Sequence, residues 1–160
     1  MISELVRTFD YITAFIEQSV ADLSDHEMVM QPDGVPNHAM WTLGHMIYSC
    51  QGIAAELGSE LWLPAAWESH FGYGSEPLPD RGKYPSKSEL SKLFTDSTNR
   101  LRETLLNTDE SVLRRALPDD TLPTMGHLLL QVVVGHNAYH AGQLAVWRRA
   151  IGKESTGVFV

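Results

Sequence analysis

The chain has 160 residues, of which 43% are hydrophobic and 20% charged, so it can bury a sizeable core and reads as one globular domain spanning residues 1–160. A formal net charge of −8 repels phosphate backbones, and no apolar run approaches the roughly 20 residues that span a bilayer, so neither nucleic acid nor a membrane is an expected partner. The lone Cys50 excludes an intramolecular disulfide and a site of several thiolates, which leaves histidines and carboxylates as the main ligands for any metal.

The N-terminus, MISELVRTFD, sets charges among its apolar residues and lacks the hydrophobic segment of a signal peptide, so a cytoplasmic protein is expected. Ile2, Leu5, Val6, Phe9, Ile12, Ile16, Val20 and Leu23 recur at three- and four-residue spacing, which predicts a first helix over residues 2–23. The turn-rich QPDGVPN at residues 31–37 ends it. A second helix is predicted from Asn37, acting as N-cap, to residue 57, with Gly58 as its stop. Gly44 and Gly52 inside that helix each cost roughly 1 kcal/mol relative to alanine, which suits a place where a neighbouring helix or a ligand comes close.

Residues 58–85, GSELWLPAAWESHFGYGSEPLPDRGKYP, hold four prolines and four glycines and exclude a long regular element. The tryptophans, phenylalanine and tyrosines among them argue for an ordered crossover packed over one end of a bundle. Ser86 and Glu89 fit a capping box opening a third helix, with Leu90, Leu93, Phe94, Leu101, Leu105 and Leu106 on its apolar face and an end near Asn107. After the turn-rich ALPDDTLP, a long and largely apolar last helix is predicted from Thr124 to residue 151, with Gly152 as its stop. Arg148, Arg149 and Lys153 gather at its end, where they complement the helix dipole. The expected fold is therefore all-α, a four-helix bundle with a long crossover loop between helices two and three that lets those two run parallel.

Seven histidines are sorted by helix geometry. His136 and His140 lie ~40° apart in azimuth and ~6 Å apart along the axis, so both rings can reach one ion. The same i, i+4 spacing serves helical HExxH zinc sites, but Asn137 stands where the metalloprotease glutamate would be, which rules that motif out. His127 falls roughly 13 Å lower on the opposite side of a regular helix. His45, in MWTLGHMIYS, is the third candidate, because metal-binding bundles draw ligands from facing helices. His38 sits two turns earlier, and His26 and His70 fall in connections. An i, i+4 histidine pair is more often structural than metal-binding, and Tyr48 or Tyr139 offers the rings an alternative hydrogen-bond partner. Several unpartnered imidazoles in an apolar layer are nonetheless costly, and an ion removes that cost.

WTLGHM in the second helix, GHNAYHAGQL in the last, the loop WESHFGYGSEP, the capped YPSKSEL and the approach MQPDGVPNHAMW together resemble the DinB-like family of metal-dependent enzymes. The likeness runs from about residue 25 to residue 152, and its specific part is HxxxHxGQ with an upstream GH. It implies a four-helix bundle that binds one divalent ion, zinc or nickel, through His45, His136 and His140. Gln143, Gly142 and Tyr139 match the family pattern without assigned chemistry, whereas Ala141 stands where many relatives carry a basic residue. Trp41 and Tyr48 on the second helix, and Gln143 and Trp147 beyond His140, are candidate pocket residues, although core packing also accounts for Trp147.

The resemblance further implies a small-molecule substrate and a low-molecular-weight thiol as cosubstrate, transferred to an electrophile. Three histidines leave an open metal position, as catalytic rather than structural zinc sites do. Residue spacing alone equally allows a hydrolase built on a metal-activated water, or a non-catalytic bundle that binds a metal or small ligand. Glu56, Glu60 and Glu68 have no spacing that places a base at the site, and Cys50 lies ~140° around the helix from His45. Helix-bundle relatives are often dimers, so a homodimer is one expected assembly.

Overall fold

The computed structural model describes residues 1–154 and 156. Its long helices are α1 (Ile2–Ala21), α2 (Ala39–Glu56), α4 (Lys87–Leu106) and a final rod. That rod comprises α5 (Met125–Leu129), a π-helical stretch (Leu130–His136) and α6 (Asn137–Ala150). A short helix, α3 (Ala66–Phe71), lies within the crossover. The fold is all-α, and among the described residues the extended pairing is one isolated bridge, Ala116 with Thr124. No described helix is long and apolar enough to cross a membrane.

Long-range bonds set the helix directions. Arg102 pairs with Asp10 at 3.1 Å and Thr95 with Glu17 at 2.6 Å, so α1 and α4 run antiparallel. Tyr84, just before α4, packs edge-on against His38 at the start of α2, with ring centroids 5.5 Å apart. Ser59, just past α2, meets Thr104 near the end of α4 at 3.0 Å. Helices α2 and α4 are therefore parallel, and the crossover between them returns the length of the bundle.

That crossover is ordered by specific anchors. The buried Gln51 side chain accepts from the backbone N–H groups of Trp62 and Leu63 at 2.7 and 2.6 Å. The Trp62 indole donates to Ser97 and the Trp67 indole to the Gly44 carbonyl. Each indole N–H thereby keeps a partner while its rings pack against the bundle.

Local chemistry accounts for the helix ends. The capping box at Ser86 and Glu89 is formed reciprocally. Gly58 has φ +95°, and the Ser59 N–H reaches the Ala54 carbonyl; Gly152 has φ +80°, and the Lys153 N–H reaches Arg148. Both are Schellman stops, which need the left-handed conformation that glycine adopts without a Cβ penalty.

The expected boundaries need four corrections. The first helix ends at Ala21, and Leu23 is buried beyond it. The N-cap of α2 is His38 rather than Asn37: its Nδ1 accepts the Trp41 N–H at 3.1 Å, a role usually filled by a shorter side chain. Leu106 is exposed rather than part of the apolar face of α4. Regular helical geometry also fails for seven residues of the last rod, Leu130–His136, where wider π turns replace α turns. The Asn137 amide donates to the Val133 carbonyl at 3.0 Å, satisfying a backbone group in that stretch.

The apolar interior falls into two clusters. One gathers Ile12, Ile16, Met40, Leu43, Phe94, Leu144 and Trp147; the other Phe9, Cys50, Ile53, Leu101, Leu129 and Val133. Along the last rod, His136 and His140 lie between the residues of these two clusters, and on α2 His45 lies among residues of the first.

Candidate metal centre

His45 comes from α2, His140 from α6, and His136 from the end of the π-helical stretch. Their Nε2 atoms converge. His45 Nε2 lies 2.9 Å from His136 Nε2, and His140 Nε2 lies 3.1 Å from the same atom. Among the described residues these three form a grouping able to hold a metal ion, with ligand atoms within 4.8 Å of one another. Two nitrogens on one tetrahedral zinc ion stand roughly 3.3 Å apart at a bond length of about 2.0–2.1 Å, so the rings need move only a few tenths of an ångström to accept one.

The outer nitrogens determine which lone pairs face inward. His45 Nδ1 lies 2.7 Å from the Phe71 carbonyl, which can only accept, so Nδ1 carries the proton and Nε2 a lone pair. His140 Nδ1 lies 2.9 Å from Gln143 Oε1 and is assigned the same tautomer. His136 Nδ1 is buried without a hydrogen-bond partner among the described residues. If His136 protonates Nε2, its Nδ1 lone pair is buried unpaired. If it protonates Nδ1, three lone pairs meet with no proton between them. A cation at the centre removes the conflict, and outer N–H groups held by a carbonyl are the usual second layer around metal-binding histidines.

Electrostatics keep the rings in the ligand form. Burial lowers the His45 pKa, opposed by the bond to Phe71. Burial, then the neighbouring His45, takes His136 down to about 4. Burial, then His136 and His45, takes His140 down to about 3. All three are neutral near pH 7, as metal binding requires.

Glycine positions this layer. A Cβ built on Gly44 would lie 2.1 Å from two carbons of the Phe71 ring. The bare backbone admits that ring, and the close approach of α3 brings the Phe71 carbonyl to the next residue, His45. The mid-helix glycine thus marks a close approach, whereas Gly52 has open space where its Cβ would be.

Trp41 stacks on the His45 ring at 4.7 Å and 7°, lies edge-on to His140 at 6.3 Å, and donates its indole N–H to Ser75. Tyr48 is half-buried on α2; its phenol pKa is raised by burial and by the nearby Glu68 carboxylate. Gln143 touches His140 directly. Trp147 is 0% exposed, and its indole donates to the Met30 carbonyl at 2.7 Å, so it is a core residue. His38, besides capping α2, bonds through Nε2 to the Leu78 carbonyl. His127 is exposed and bonds Thr124, the N-cap of α5; His26 is also exposed, and His70 is half-buried in α3 with its Nδ1 3.0 Å from the Ala66 carbonyl.

Sequence reasoning missed Phe71, because a backbone carbonyl is common to every residue and leaves no trace in residue type. It also missed Asn37, whose amide lies 3.4 Å from Gln143 Oε1. The mid-helix Gly44 was the one signal that could have pointed to Phe71.

Fold and site together define a helical bundle carrying a three-imidazole cluster that can hold a transition metal. The chain belongs to the DinB superfamily, whose family model matches residues 8–144. None of the curated proteins matches it. Among solved structures, one described as the crystal structure of the conserved protein of locus from Enterococcus faecalis is similar, with a TM-score of 0.79. It is 20% identical, and the match covers 96% of this chain and 98% of that one, a likeness of fold.

Proposed function

We propose that His45, His136 and His140 hold one divalent transition metal, zinc or nickel, and that the centre transfers a low-molecular-weight thiol to an electrophilic small molecule. The observation that carries this reading is the convergence of three neutral Nε2 atoms, two of them with Nδ1 tied to a carbonyl. A metal held by three neutral imidazoles keeps an open position and lowers the pKa of a thiol that occupies it. The chain's own residues orient and shield the centre. Phe71 and Gln143 direct two rings inward, and Trp41 covers one face of His45 and limits water there.

Thiol transfer is preferred to hydrolysis because the resemblance to the DinB-like family favours it, while residue spacing alone allows both.

Elemental analysis of protein purified without a His-tag is expected to find about one zinc or nickel ion per chain, and none in the His136→Ala/His140→Ala variant with its helical circular dichroism intact. Loss of free thiol from glutathione or cysteine in the presence of a small alkyl halide or epoxide is then expected with the native protein only. A native protein that takes up neither metal after incubation overturns the site. A metal-loaded protein that hydrolyses esters but leaves every thiol untouched overturns the thiol-transfer reading.

A further inference from the structure

We infer that Gln143 is a positioning residue for this centre: its side-chain carbonyl holds His140 in the tautomer whose Nε2 is free to bind a metal, and Tyr139 and Asn37 hold Gln143 in turn. The inference rests on the metal-centre reading above and adds how one ligand is kept competent.

A side-chain amide has one accepting end and one donating end, and it can flip. The Gln143 Nε2 donates to the Tyr139 hydroxyl at 2.8 Å, and its Oε1 faces His140 Nδ1 at 2.9 Å. Asn37 Nδ2 approaches the same Oε1 at 3.4 Å, a contact that suits an oxygen and not an N–H. With the Asn37 N–H on the oxygen and the Tyr139 hydroxyl accepting from the amide nitrogen, the accepting end of Gln143 faces His140, so the imidazole proton sits on Nδ1. A flipped amide would present N–H groups to Nδ1, move the proton to Nε2 and remove His140 from the ligand set.

The three ligands therefore differ in how they are held. His45 is directed by the Phe71 backbone carbonyl, which cannot flip. His140 is directed by an amide that needs two further contacts to stay oriented. His136 Nδ1 has no partner among the described residues. Tyr139, His140 and Gln143 lie within about one turn of α6, since residues three and four apart share a face. Asn37 comes from the segment preceding α2, the helix that carries His45.

The test reads the tautomer directly. Long-range 1H–15N spectra of the metal-free protein at pH 7.5 are expected to show His140 protonated at Nδ1 in the native chain and in Gln143→Glu, whose carboxylate can only accept. Gln143→Leu should show a mixture of tautomers or the Nε2–H form. Cobalt(II) titration of the same proteins should give a 10- to 100-fold weaker affinity for Gln143→Leu, on the order seen when a second-layer partner is removed, with recovery in Gln143→Glu. Tyr139→Phe, at a residue 62% exposed, should fold normally and lose affinity by a smaller factor. It keeps the test open should Gln143→Leu not fold.

Native protein with His140 protonated at Nε2 overturns the inference, as does Gln143→Leu with native tautomer and cobalt affinity. Native protein that binds no cobalt while its His140 tautomer still depends on Gln143 overturns the metal reading and supports the positioning role.

Discussion

Two buried polar groups on the same helix are treated in opposite ways. Arg148, 2% exposed, spends all its guanidinium donors: Nη1 on the Ser19 carbonyl and Asp22, Nη2 on Asp22 and the Glu154 carbonyl, and Nε on Glu154. Two turns earlier, His140 and its neighbours turn three imidazole nitrogens toward one another, and His136 Nδ1 has no partner among the described residues. Burying polar groups is costly unless they are paired. The arginine network is complete and joins α1, α6 and the segment after it. The histidine layer is incomplete among the described residues, and its three rings could hold a metal ion.

The widest separation of the two regions is expected from paired variants. Asp22→Ala leaves a buried guanidinium without its carboxylate and should cost about 1–3 kcal/mol, less than for a fully buried pair because Asp22 is half-exposed and the Ser19 and Glu154 carbonyls remain. Urea unfolding would measure it, with metal content unchanged. His136→Leu/His140→Leu should do the reverse, abolishing metal binding while leaving the metal-free protein's unfolding midpoint within the native range.

Metal itself should move the histidine region most. Zinc or nickel at a thousandfold above its dissociation constant should stabilise the native protein by about 4 kcal/mol, and a chelator should reverse this; the double leucine variant should show no response. Gly44→Ala forces the Phe71 ring away and should cost about 1–3 kcal/mol, the usual penalty of overpacking. Because the same shift moves the Phe71 carbonyl from His45, its metal affinity should fall too, unlike that of Asp22→Ala.

Acid should sharpen the contrast further. His136 and His140 are held down to about 4 and about 3, against about 6.5 in the unfolded chain. Below pH 6.5 the unfolded state takes up protons that the folded state refuses, so stability present above that pH falls as pH drops toward 4. Metal-free native protein should lose on the order of 1 kcal/mol per group per pH unit in that window, and the leucine variant much less. The smallest effect concerns Cys50, whose thiol burial pushes up to about 12: iodoacetamide at pH 8 should leave it unmodified until the protein unfolds.

Much of this was legible beforehand. The eight apolar positions assigned to the first helix are all buried, Leu23 just beyond its end, and the Ser86 capping box and the Gly58 and Gly152 stops stand where spacing put them. These features depend on residues within a turn or two of one another. Arg148 does stand in the last turn of its helix, but its burial had no local sign: only the packing of α1 against α6 brings Asp22 and Ser19 to it. His127 stays outside the site at the start of α5, as its spacing predicts, although π turns that no residue pattern announced intervene before His136.

By itself the sequence determined an all-α chain, the Ser86 cap and the glycine stops, and the nearness of His136 to His140, because each follows from spacing along one helix. Tertiary structure alone brought His45 across to them, set the Phe71 carbonyl on its Nδ1, turned Gln143 toward His140 and buried Arg148. Those contacts join residues distant in the chain or use backbone groups that every residue shares, so they exist only once the helices have packed.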